Sequence, residues 1–163
     1  MATIAHPQQP NLRAFIVYDH VPASFAAYPV KDDANAPYLC AGDVAIIDPS
    51  DREPAPGELF VIDWQSGASA IVETWSQNMK VGCGLAGEMI DTVCWKVARA
   101  NRARSADDVL CRLRSGQSVG WVDGPYPTEG PHAGALNRKL RGKVVGILQA
   151  ADAEPLRQIG SAA

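Results

Sequence analysis

The chain lacks any run of about 18 apolar residues, the length a membrane-crossing helix needs. Its first twelve residues, Met1 to Leu12, are polar and proline-bearing, without the basic and apolar regions of a signal peptide. No contact with a membrane is therefore expected, and the expected compartment is the cytoplasm. Cysteine is sparse: Cys40, Cys83, Cys94 and Cys111 stand at wide, irregular intervals with no Cys-x-x-Cys pair. That spacing argues against a disulfide framework and a zinc site, and the four read as small buried apolar residues. The three histidines, His6, His20 and His132, are scattered singly, so no His-based metal or nucleophile constellation is assembled and no cofactor is expected. Internal repeats and low-complexity segments are absent as well.

What is present is an ordinary globular composition of 163 residues, 47% hydrophobic and 20% charged, enough to bury one core. The net charge of -3 conceals a polarity along the chain. Residues 1–95 carry four basic residues against twelve acidic ones, near -8, whereas residues 96–143 carry ten basic against four acidic, giving +6. The basic second half can meet nucleic acid or an acidic partner, or the two halves can neutralise each other across the fold or within a dimer.

Apolar patterning and turn residues point to a mainly β protein. Strands are expected at Ala14 to Tyr18, Val44 to Ile47, Glu58 to Trp64, Ser69 to Trp75, Val119 to Val122 and Lys143 to Leu148, with Gln65-Ser66-Gly67 as a hairpin turn. Pro22 and Pro29 argue against a long element over Val21 to Val30. Met89, Ile90, Val93 and Val97 fit a short helix, and Val93, Trp95 and Val97 fit an alternating strand nearly as well. Ser105 can cap a helix with Asp107 and Asp108 in its first turn and Arg112 and Arg114 near its end. Gly124 to Gly134, with three prolines, reads as a long loop.

The organising stretch runs from Asp33 to Asp48. Pro37, then Gly42-Asp43, then four apolar residues and Asp48 describe a turn feeding a buried strand, with Gly42 free to take positive φ and Asp43 able to bond the turn's amides. This pattern resembles the nucleophile segment of the LexA and UmuD-type Ser-Lys peptidases, in which Asp-Ser-Met-any-Pro precedes the same Gly-Asp and strand. Further on, the hairpin strand Ala70-Ile71-Val72-Glu73-Thr74-Trp75 and the run Gly142-Lys143-Val144-Val145-Gly146 resemble that family's lysine-bearing strand and closing strand. The likeness covers roughly residues 29–75 and 139–149. It implies a LexA-like curved or barrel-like β-sheet domain over residues 13–150, with 86–138 as a partly helical, family-divergent insertion, 1–12 as a flexible arm and 151–163 as a tail.

The same alignment puts the serine position on Ala34 and the lysine position on Glu73. A Ser-Lys peptidase needs the hydroxyl as nucleophile and a neutral amine to take its proton. Ala34 has a methyl group instead, and Glu73 is an acid with no hydroxyl to act upon. Asn35 stands where the family usually has Met. No glycine precedes Ala34 to form the small-residue scissile bond that self-cleavage uses. The stretch ahead of the motif is too short for a helix-turn-helix domain, so repressor-style DNA reading is not expected.

Three readings follow. In the first, the chain is a non-catalytic LexA/UmuD-like domain, a homodimer acting on an unidentified protein partner as a bacterial or phage regulatory or accessory factor. In the second it is a peptidase of that family with a displaced or engineered-out nucleophile. In the third it is a nucleic-acid-binding or phage structural component using the basic 96–143 segment. Asp33, Pro37, Gly42 and Asp43 are the motif residues, Ala34 and Glu73 the vestigial pair, and Arg99, Arg102, Arg104, Arg112 and Arg114 the partner-binding candidates. The Ala34 and Glu73 positions are expected to face each other across a groove.

Overall fold

The computed structural model describes residues 15–83 and 88–148, so the proposed arm over 1–12 and tail over 151–163 lie outside the described residues. Eight strands and two short helices occur in the order β1 (Ile16–Tyr18), β2 (Ala26–Pro29), β3 (Val44–Asp48), β4 (Leu59–Asp63), β5 (Ser69–Cys83), β6 (Glu88–Ala98), α1 (Ala106–Arg114), β7 (Val122–Pro127), α2 (Ala135–Lys139) and β8 (Leu140–Leu148). They form one sheet in the order β2-β3-β8-β4-β5-β6-β7, with β1 added in parallel beside β8 and every other pairing antiparallel. The path runs open from β2 to β7 and does not close on itself, so the barrel-like form expected from the sequence is corrected to an open, mainly β sheet.

Strand β4 lies deepest because Leu59, Phe60, Val61 and Ile62 are all buried, which a strand tolerates only when both of its faces are covered. Leu59 and Val61 join Tyr28, Leu39, Ala45, Ile47 and Ile71 in one core, while Phe60 and Ile62 join Val72, Val97, Tyr126, Leu136 and Leu140 on the opposite face. The period-2 alternation of side chains thus divides the interior into two layers around a single sheet. Strand β8 serves three neighbours, and its pairings with β3 and β4 slip at Ile46/Ile47 and at Val61/Ile62, leaving Val145 and Arg141 without partners in the ladders.

Several expectations change in detail. The segment over Met89 to Val97 is strand β6, not a helix: its pairing with β5 is continuous from Glu73–Ala98 to Cys83–Glu88 and satisfies the backbone that a helix would have satisfied internally. Strand β7 begins at Val122 and continues through Pro125 and Pro127, inside the expected loop. It lies at the sheet edge, where a missing N–H costs no ladder bond. Short strand β2 occupies the other end for the same reason, and α2 was not expected. Helix α1 starts as read, with the Ser105 hydroxyl accepting from the Asp108 N–H.

Gly142 and Gly146, from the run that resembles a closing strand, have no room for a side chain. A Cβ on Gly142 would meet the Asp48 carbonyl and lie 2.9 Å from Pro49 Cα, and one on Gly146 would meet the Ile16 carbonyl and the Tyr18 ring. Gly142→Ala is expected to lower stability by about 1–3 kcal/mol through overpacking, read as a lower urea midpoint at unchanged m-value.

Candidate functional site

The organising turn is built from its own acidic side chains. Asp43 accepts from the Cys40 N–H at 2.7 Å and Asp33 from the Ala41 N–H at 2.8 Å, while Gly42 turns the chain at φ 96°. The Gly42 N–H donates to the Val30 carbonyl and the Val30 N–H to the Asp43 carbonyl, which fixes the entry into β3. Pro37 follows a cis peptide bond within this turn.

Asn35 ties the turn to the sheet. Only 1% exposed, it donates through Nδ2 to the Ile71 carbonyl at 3.1 Å and accepts through Oδ1 from the Ala100 N–H at 3.0 Å. Beside it the Ala34 carbonyl accepts from the Asn101 N–H at 3.2 Å. The turn is therefore clamped against β5 on one side and against the segment leaving β6 on the other.

Glu73 meets the same segment. It is buried on β5 opposite Ala98, and its carboxylate takes a two-point contact from Arg104, Nη2 to Oε2 at 2.7 Å and Nη1 to Oε1 at 3.3 Å. Arg102 Nη2 adds a third at 3.4 Å, and its guanidinium lies 3.9 Å from the centre of the Trp75 ring. Arg102 Nη1 is buried with no hydrogen-bond partner among the described residues, so the ring and the carboxylate meet its charge instead. Arg104 Nη2 also donates to the Ala100 carbonyl. Ala34 and Glu73 are thus both bound to the segment between Ala98 and Arg104. That segment holds three arginines, two of which reach Glu73, and no lysine.

The remaining partner candidates are placed as follows. Arg99 pairs with Asp32 at 2.9 Å, and Asp32 in turn accepts from the Ala34 N–H. Arg112 bonds Asp108 at 2.9 Å and the Asn101 carbonyl at 2.6 Å, while Arg114 is exposed at the end of α1. Of these five arginines, Arg102 is buried, and four are engaged within the chain.

A second polar group was not anticipated because its members are spread from Trp64 to Lys139. Asp123 accepts from Trp64 Nε1 at 3.1 Å and from the Tyr126 hydroxyl, to which Lys139 Nζ donates at 2.9 Å. Burial, followed by the bond to Asp123 and the charge on it, pushes the Tyr126 phenol well above its ordinary value, so the group stays protonated. Burial alone would raise Asp123, but the bonds from Tyr126, Trp64 and the Gly124 N–H outweigh it and hold the carboxyl below its usual 3.8. The arrangement pins β7 to α2 and to Trp64, the residue that follows β4.

The cysteine expectation is corrected at two positions. Cys94 is buried, which pushes its thiol up, whereas Cys40 and Cys111 are free and exposed. Among the described residues no group of three His, Cys, Asp or Glu side chains is placed to hold a metal ion, and no helix is long and apolar enough to cross a membrane. No protein family model, curated protein or solved structure matches the chain.

Two outcomes test this geometry. Glu73→Lys would set a third cation against Arg102 and Arg104 in a buried position, and urea unfolding is expected to show a loss of about 3–5 kcal/mol, the cost of breaking a buried pair. For Asp123 the folded pKa lies below the unfolded value of 3.8. Its stabilisation is then full above about pH 4 and is lost as pH falls through the folded value. Asp123→Asn is expected to flatten that acid limb in thermal melts taken across the pH range.

Proposed function

We propose that the chain is a non-catalytic LexA/UmuD-like domain that works through protein contacts as a bacterial or phage regulatory or accessory factor. The observation that carries the reading is the Glu73–Arg104–Arg102 cluster. At the position aligned with the family's general base, a carboxylate is occupied by two guanidinium groups, and the aligned nucleophile position, Ala34, offers a methyl group. Three of the carboxylate's roughly four lone-pair sites are taken by guanidinium N–H groups, and Ala34 offers no hydroxyl for the remaining one to act on.

Support for the fold side of the reading comes from the motif residues. Gly42 takes the expected positive φ and Asp43 bonds a turn amide as expected, Asp33 adds a second such bond, the 59–73 segment is a hairpin, and β8 joins β3 to β4 as a closing strand would. The displaced-site alternative is weakened by the hydroxyls available. Ser69 Oγ bonds the Tyr28 hydroxyl and Thr74 Oγ1 donates to the Ala55 carbonyl at 2.6 Å. Neither is paired with a lysine. The nucleic-acid alternative is weakened by the internal engagement of Arg99, Arg102, Arg104 and Arg112, which leaves few cations of that segment for phosphates.

A fluorophosphonate probe separates the first two readings, and binding to DNA and RNA across a salt series separates the third. The expected result is no covalent labelling of the wild type and no salt-dependent association. Stoichiometric labelling at any serine would overturn the non-catalytic reading, and tight, salt-sensitive binding would replace it with the third.

A further inference from the structure

The hairpin of β5 and β6 outruns its neighbours. Strand β4 and the two residues before it bond β5 only from Ser69 to Thr74, and β7 with Thr128 reaches β6 only as far as Val93. Beyond those points the hairpin continues as a two-stranded ribbon to the Cys83–Glu88 pair. A ribbon of two strands is marginal in water by itself, and its open edges are templates for another strand.

The direction of the free groups on β5 follows from Thr74. Its N–H donates to the Glu58 carbonyl and its carbonyl accepts from the Gly57 N–H, so Thr74 turns its backbone away from β6. Pairing with β6 then runs without a register shift, and alternation makes Ser76, Asn78, Lys80 and Gly82 turn theirs outward too. All four residues are exposed, and among the described residues no hydrogen bond reaches these outward groups. On the ribbon, Met89, Ile90 and Val93 are exposed apolar side chains.

We propose that this edge, Ser76 to Gly82, is the seam of a homodimer in which a second copy of the chain adds its own β5 antiparallel about a twofold axis at Met79. The free edge is symmetric about that residue. Ser76 meets Gly82 of the second copy and Asn78 meets its Lys80, so each of the four outward residues exchanges both backbone bonds. The side chains agree with that register. Lys80 stays beside Asp91 of its own ribbon and faces the amide of Asn78 across the seam, no like charges are directly opposed, and Met79 packs on Met79. The result is a four-stranded ribbon in place of two marginal ones. The seam follows from the edge geometry and not from the family likeness, under which a homodimer was already expected, and its failure would leave the Glu73–Arg104–Arg102 cluster untouched.

The test is sedimentation equilibrium of the full chain over a concentration series, with amide exchange read at Ser76, Asn78 and Lys80. The wild type is expected to double its 17.4 kDa mass and to protect those three amides. Asn78→Pro removes an N–H that makes no bond among the described residues, so it is expected to fold, remain monomeric and exchange quickly there. Met79→Cys, oxidised, is expected to give a reducible dimer beyond any formed by the wild-type cysteines. Gln77→Cys, which faces Val81 across the seam, is expected to give none. A wild type that stays monomeric, an Asn78→Pro variant that still dimerises, or a Met79→Cys chain that does not cross-link overturns the proposal, and the cross-link decides if the proline variant does not fold.

Discussion

The buried amide of Asn35 is the constraint from which the rest of the site follows. A side-chain amide taken out of water must have its donor and acceptor used, and Asn35 uses them on two different elements, the Ile71 carbonyl of β5 and the Ala100 N–H after β6. One residue therefore fixes the organising turn to the sheet and sets where the chain goes when it leaves β6. An apolar side chain at that position would leave both backbone groups unpaired, at a cost of about 1–3 kcal/mol each.

From that clamp the charge arrangement becomes intelligible. Once residues 98–104 are held against the turn, Arg99 falls beside Asp32, and Arg102 and Arg104 fall beside Glu73. A carboxylate as buried as Glu73 requires cationic partners, and the segment supplies them in a two-point geometry that lysine cannot match. The polarity of the sequence is resolved in part the same way. Acidic residues of the first half meet basic residues of the second in Asp63–Arg141 and in the contacts of Lys143 with Asp51 and Glu58. Neutralisation across the fold, one of the meanings open for that polarity, is thus present within a single chain.

Much of the sheet was legible because its strands are short, apolar and bounded by glycine and proline. Val44 to Ile47 and the hairpin around Gln65 to Gly67 show their period and their turn directly. The segment over Met89 to Val97 was ambiguous because its apolar residues satisfy helical and alternating spacing together, and only the partner strand β5 decides between them. Strand β7 was hidden by Pro125 and Pro127, which forbid a central strand but not an edge one. At the site, the turn bonds of Asp33 and Asp43 are local, within eight residues and three residues, and could be read from residue type. The arginine partners of Glu73 lie 29 and 31 residues away, and the Trp64–Asp123 bond spans 59. No sequence period carries such contacts.

The account rests on one segment being held jointly by the Asn35 amide and by the Glu73 ion pairs. A double-mutant cycle on folding stability with Asn35→Ala and Glu73→Gln measures that joint hold directly. Residues that share a partner segment couple, whereas independent sites add to within about 0.3–0.5 kcal/mol. The expected result is a coupling energy clearly above that range, the second substitution costing less once the first has released the segment. Additive losses would contradict the claim that the two interactions form a single clamp.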